Sequence, residues 1–157
     1  MSISHIHQVG FSLLEMIIVM AIMSVMVTAA WPIARNIEKR RQEQELKEVL
    51  RRMRDGIDKY KKFCEAGGVP PLDRKPEDQC YPPNLDTLVE GVTPPNSLHK
   101  IRFLSRIPRD PMTGGTDWST RSAQDEPDTR SSGSQNVYDV FSRSEDIGLN
   151  GTKYRDW

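Results

Sequence analysis

Gly10-Phe11-Ser12-Leu13-Leu14-Glu15-Met16-Ile17-Ile18-Val19-Met20 opens the long apolar run of this chain. Residues 11–30 hold one charged side chain, Glu15. As an α-helix rising about 1.5 Å per residue, that run spans roughly 30 Å, the thickness of a bilayer's hydrocarbon core. A carboxylate in such a run costs about 2.5–3.5 kcal/mol at mid-helix on the insertion scale, and less towards an end. An acid kept there at that cost implies a function and a partner that offsets its charge. The run predicts a membrane-spanning helix over 11–30.

Residues 1–10 are short and polar, with His5 and His7. A removable secretory signal carries its apolar core before the cleavage site. Here the apolar run follows Gly10, so it would stay in the mature chain. Gly10, Phe11, Glu15 and the run together resemble the class III signal of type IV pilins and type II secretion pseudopilins. The resemblance implies that a prepilin peptidase removes residues 1–10 by cutting between Gly10 and Phe11. It implies that Phe11 is then N-methylated, and that Glu15 pairs with the N-terminal amine of a neighbouring subunit during assembly. The physics agrees: a buried amine and a buried carboxylate are each costly alone, and contact offsets both. One departure is the leader, which lacks the Lys or Arg usual in the family; Arg35, Lys39, Arg40 and Arg41 lie after the span instead. Charge alone would place the C-terminal side in the cytoplasm. The cleavage signal implies the opposite and takes precedence: a single-pass inner-membrane protein with its head in the periplasm.

The 157 residues suffice for one domain and a membrane element. Lys plus Arg equals Asp plus Glu at 22 each, so the global charge points to no polyanionic partner. Residues 35–62 carry 11 basic and 6 acidic side chains, whereas 63–157 carry 11 basic and 15 acidic. A basic stem and an acidic head can steer how subunits dock, or can be two solvated surfaces. Cys64 and Cys80 are the only cysteines. In an oxidising compartment they can bridge, closing a Gly- and Pro-rich loop at a gain of about 3 kcal/mol in the chain-entropy model; two free thiols are the alternative. Two cysteines alone make no zinc site.

Met16, Met20, Met23 and Met26 recur at helical spacing, as packing or lipid-facing side chains. Trp31 suits the membrane–water boundary, and Pro32 removes a helix hydrogen bond and predicts a bend there. Residues 31–65 then become an amphipathic stem. Ile33, Ile37, Leu46, Val49, Leu50, Met53, Ile57 and Tyr60 fall mostly on one face at i, i+3, i+4 and i+7. Glu43–Lys47, Glu48–Arg52, Asp55–Lys59 and Asp58–Lys62 are acid-before-base pairs at i, i+4. Residues 38–45 are polar all round and predict an exposed stem. Arg51, Arg52 and Arg54 are interleaved with acids, which reads as a solvated helix face rather than a nucleic-acid patch. Gly67-Gly68 and Pro70-Pro71 end the helix.

Residues 66–157 form a small head. Asn84 as cap, the apolar positions of 85–89 and Gly91 predict a short helix. Residues 98–107 stay ambiguous between helix and strand. Residues 116–121 around Trp118 predict one strand and 136–142 a second, with a polar, mobile loop at 122–135. The fold class is therefore α+β: a long N-terminal helix packed on a small antiparallel sheet. The head is similar to that of the major, G-type pseudopilins of type II secretion. The likeness rests on Tyr81-Pro82-Pro83-Asn84-Leu85, Ile107-Pro108-Arg109-Asp110-Pro111, Tyr138-Asp139-Val140-Phe141-Ser142 and the terminal Trp157.

That likeness implies calcium in the C-terminal loop at 143–156, where Asp146 and Asn150 are the candidate ligands beside Glu145 and Asp156. The family's glycine-rich tract and later aspartates are altered here, and calcium takes six to eight oxygens. A loop closed by hydrogen bonds and by Trp157 is the alternative. Asp139 is assigned to a strand. Without the leader His99 is the sole histidine, no Ser/His/Asp or Cys/His order is visible, and no G-x-x-x-x-G-K-S/T is present. The expectation is a structural subunit, not an enzyme, of a secretion pseudopilus. Its partners would be copies of itself, other pseudopilins, the inner-membrane secretion platform and the prepilin peptidase, with no nucleic acid. A minor pilin of a type IV pilus or DNA-uptake system is the runner-up.

Overall fold

The computed structural model describes residues 12–71, 78–95, 97–126 and 135–157, and within the first stretch it leaves the side chains of 29–35 undescribed. Gly10 and Phe11 therefore lie outside the description, as do the side chains of Trp31 and Pro32, whose backbone is part of one continuous helix. The chain divides into two compact units, Met1–Lys39 and Arg40–Trp157.

Helix α1 runs from Leu13 to Glu65. Its first part presents exposed Leu14, Ile17, Met20, Met23 and Val27. The hydroxyls of Ser24 and Thr28 donate back to the helix's own carbonyls, at 2.7 Å to Met20 and 2.8 Å to Val25. Polar side chains satisfied in this way leave the surface of that stretch apolar. Among the described residues no helix is long and apolar enough to cross a membrane; the expected span, 11–30, has its two ends outside the described residues or side chains.

Within the second unit, Leu46, Val49, Leu50, Met53, Ile57, Tyr60 and Cys64 form the buried stripe of α1. The stripe recurs every three or four residues because 3.6 residues make one turn. It packs with Val69, Tyr81, Leu88, Leu104, Trp118, Val140 and Tyr154 in one core. The helix ends where its glycines allow. Gly67, at φ +82°, sends its N–H to the Cys64 carbonyl at 2.9 Å, and Gly68 sends its own to Phe63 at 2.9 Å. That pair of bonds is the Schellman motif, which satisfies the last free carbonyls and favours a residue without Cβ. A disulfide joins Cys64, in the last turn, to Cys80.

Helix α2 (Leu85–Glu90) is six residues long and capped at both ends. The Asn84 Oδ1 accepts the Thr87 N–H at 2.8 Å, and the Gly91 N–H reaches the Thr87 carbonyl at 3.0 Å. Gly91 sits at φ +79°, and a Cβ there would come within 2.5 Å of the Ile101 carbonyl oxygen. The ambiguous stretch at 98–107 is neither helix nor strand. A single antiparallel bridge, Ile101 to Val92, holds it to the residue after that glycine. The amides of Phe103 and Leu104 both bond the Leu88 carbonyl at 2.9 Å.

Strands β1 (Ser119–Arg121) and β2 (Asp139–Phe141) pair antiparallel, Thr120 opposite Val140. Each is shorter than the sequence pattern predicts. A 3-10 turn, Tyr154–Asp156, closes the described chain. The molecule is thus α+β, a long N-terminal helix with a small antiparallel two-stranded sheet. The near end of the expected mobile loop is tied down. Ser122 and Asn136 are each 1% exposed, and Asn136 Oδ1 accepts the Ser122 hydroxyl at 3.1 Å and the Ala123 N–H at 3.0 Å. Residues 127–134 of that loop lie outside the description.

Candidate functional site

Two places carry the charged groups singled out in the sequence. The first is the start of α1. Glu15 lies in its first turn, exposed, with exposed Leu14, Met16, Ile17 and Ile18 around it. An acid in the first turn is favoured by the unpaired N–H groups there. Among the described residues Glu15 makes no hydrogen bond or ion pair. The cleavage residues Gly10 and Phe11 lie outside them.

The second place is where α1 meets the C-terminal segment. Glu43 is 8% exposed, although residues 38–45 were expected to be solvent-facing on all sides. Its carboxylate does not serve Lys47, the neighbour one turn on. Glu43 Oε1 accepts the Leu149 N–H at 2.7 Å and the Tyr154 hydroxyl at 3.0 Å. Lys47 lies instead over the Trp157 ring, 4.6 Å from its centroid. The Tyr154 and Trp157 rings meet edge-on at 5.1 Å. Glu43 lies three residues before Leu46 and seven before Leu50, so extending the buried stripe back one turn reaches it. That register was the available signal, and its polar neighbours masked it.

Arg54 corrects a second reading. It is not part of a solvated face: its Nε donates to Asp139 Oδ1 at 2.7 Å, and its Nη2 to the carbonyl oxygens of Val140 at 3.2 Å and Trp157 at 2.8 Å. One guanidinium so joins α1, β2 and the C-terminal segment, the geometry its fork of donors favours. Asp139 sits on β2 as expected. Arg52, by contrast, makes only the exposed i, i+4 contact with Glu48, at 3.4 Å; such pairs contribute a few tenths of a kcal/mol.

Three of the side chains expected around calcium are engaged with other groups of the loop, whereas among the described residues the Asp146 carboxylate makes no hydrogen bond or ion pair. Asn150 Oδ1 accepts the Thr152 N–H at 3.1 Å and the Thr152 hydroxyl at 2.9 Å. Glu145 is taken by Lys153 and Arg155, each at 3.3 Å. Asp156 has Arg155 Nε at 3.6 Å. Among the described residues no group of three or more His, Cys, Asp or Glu is placed to hold a metal ion.

Burial, and next the hydrogen bond to Glu43, push the Tyr154 hydroxyl from 10.0 to about 12. Because the folded value is the higher one, the stability held by the neutral phenol is complete below pH 10. It is lost as the pH rises through about 12. An absorbance titration of the wild type against Tyr154→Phe checks this. The phenolate signal missing from the variant should appear near pH 12; a signal appearing near pH 10 would show a solvated hydroxyl.

Residues 7–31 match the family model described as the prokaryotic N-terminal methylation motif. The match covers the last four residues of the expected leader, the Gly10–Phe11 bond, Glu15 and the whole apolar run at 11–30. It supports a place in the type IV pilin-like family. No curated protein and no solved structure matches the chain.

Proposed function

With the prepilin-type motif at 7–31 as premise, we propose that this chain is a structural subunit of a type II secretion pseudopilus. The observation that carries the reading is Glu15 in the first turn of a helix whose following side chains are apolar and exposed. A surface of that kind needs lipid or other apolar helices against it. In the proposed cycle the peptidase removes residues 1–10 and Phe11 is methylated. The span at 11–30 holds the chain in the inner membrane, with the head in the periplasm. Subunits then leave the bilayer as Glu15 of one meets the Phe11 amine of another. Van der Waals packing between apolar helices supplies most of the contact, and the charge pair fixes axial register. Other pseudopilins and the inner-membrane platform are the further partners, and the filament drives export across the outer membrane. The role is structural rather than enzymatic.

Two measurements test this. Mass spectrometry of the protein from membranes should give a chain beginning at N-methylated Phe11; a chain beginning at Met1 removes the premise. Deletion of the gene should stop protein secretion and leave twitching and DNA uptake intact. The reverse outcome assigns the chain to a type IV pilus or an uptake system as a minor pilin.

A further inference from the structure

We propose that Glu43 does in this protein what a metal ion would otherwise do: it closes the C-terminal loop, which therefore folds without calcium. The argument rests on which way the loop turns its polar groups. A cation site collects acceptor oxygens around one point. Here the groups that converge are donors, the Leu149 N–H and the Tyr154 O–H, and what they meet is a carboxylate from α1. Donors aimed at one point attract an anion and repel a cation.

Several of the loop's acceptors are meanwhile engaged within the loop itself. The Thr152 carbonyl takes the Gly148 N–H at 2.7 Å, the Gly148 carbonyl takes the Gly151 N–H at 2.9 Å, and the Asp146 carbonyl takes the Tyr154 N–H at 3.1 Å. Asn150 and Glu145 are engaged with Thr152, Lys153 and Arg155, as described above. An antiparallel bridge between Ile147 and Lys153 draws the two sides together. The Trp157 indole N–H, bonded to the Thr152 hydroxyl at 2.7 Å, closes the far end. A cation bound at these oxygens would compete with those bonds for the same carbonyls. Glu43 stands 106 and 111 residues from its two donors. The latch is thus a tertiary contact that holds the end of the chain on the helix. It does not depend on the pseudopilus reading.

The test uses the full chain in detergent, with thermal unfolding of the head and hydrogen exchange at the Leu149 amide as readouts. In the wild type, neither a chelator nor millimolar calcium should move the midpoint by more than about 1 °C. Glu43→Ala should lower it by about 5–10 °C and speed Leu149 exchange at least roughly tenfold, since two donors lose a charged acceptor. Glu43→Gln, which keeps an acceptor oxygen, should fall between. A midpoint that rises by several degrees with calcium overturns the proposal, and so does unchanged Leu149 exchange in Glu43→Ala. If the alanine variant does not fold, Glu43→Gln and the chelator series decide by the same criteria. These readouts are independent of filament formation, so a failure here and a failure of the proposed function are distinguishable.

Discussion

Glu15→Gln should abolish filament assembly while leaving the head's thermal midpoint and the N-terminal processing unchanged. The side chain is exposed on α1 and has no bonding partner among the described residues, so nothing in the described part of the head depends on it. In the proposed membrane span its cost would be felt in lipid, where a carboxylate without a counter-charge is unfavourable. Removing one member of a buried ion pair costs about 3–5 kcal/mol, because the other charge is left uncompensated. At the subunit interface that is a loss of more than roughly a hundredfold in association. The uncompensated group in the variant would be the amine of Phe11, which a neutral Gln cannot offset. The measurement is electron microscopy of filaments from cells producing the variant, with the N-terminal mass taken on the same material. A variant that is cut, methylated and still assembled into normal filaments would sink the charge-pair mechanism. A variant that is not cut would instead show that Glu15 serves the peptidase.

The parts of the fold that were legible in the sequence are those set by neighbours along the chain. The stripe from Leu46 to Tyr60 repeats with the helix period and is buried, whereas Ile37, expected on the same face, is 63% exposed because it belongs to the first compact unit, outside the core of the head. Asn84 and Gly91 mark the two ends of α2 through their own side-chain chemistry and backbone freedom. Trp118 and Val140, expected on or beside short strands, are both in the core. What escaped was set by residues far away in sequence. The i, i+4 rule applied to Glu43, and the interleaved charges around Arg54, report only neighbours on the same helix. The partners of Glu43 and Arg54 lie between 85 and 111 residues later. No local pattern reports such a contact; only the helical register of Glu43 with Leu46 and Leu50 hinted at it. The leader is the opposite case, a short motif whose meaning lies in its order of residues. That order is legible by itself, and Gly10 and Phe11 stand outside the described residues.

Breaking the Cys64–Cys80 bridge should be the most damaging change in the head. Both sulfurs are buried, with the residues 2% and 4% exposed, and the Cα atoms stand 5.5 Å apart. Opening a loop of 16 residues returns to the unfolded chain about 3 kcal/mol of conformational freedom. The bridge also anchors a relay. It fixes Cys80 against the last turn of α1, next to Tyr81, whose ring takes the Lys61 ammonium at its hydroxyl at 2.7 Å and packs edge-on to Tyr138. The following carbonyl, of Pro82, accepts the Val137 N–H at 2.8 Å, two residues before β2 begins. Loss of the bridge therefore frees the end of α1 and the entry to the sheet together. The double variant Cys64→Ser, Cys80→Ser should melt about 10–15 °C below the wild type, given a few degrees per kcal/mol for a unit of this size. A reductant should bring the wild type to the same midpoint and leave the variant where it is. Equal midpoints for wild type and double variant without reductant would mean that the core alone holds this end of the head. A reductant-sensitive midpoint in the double variant would place the effect elsewhere than at the bridge.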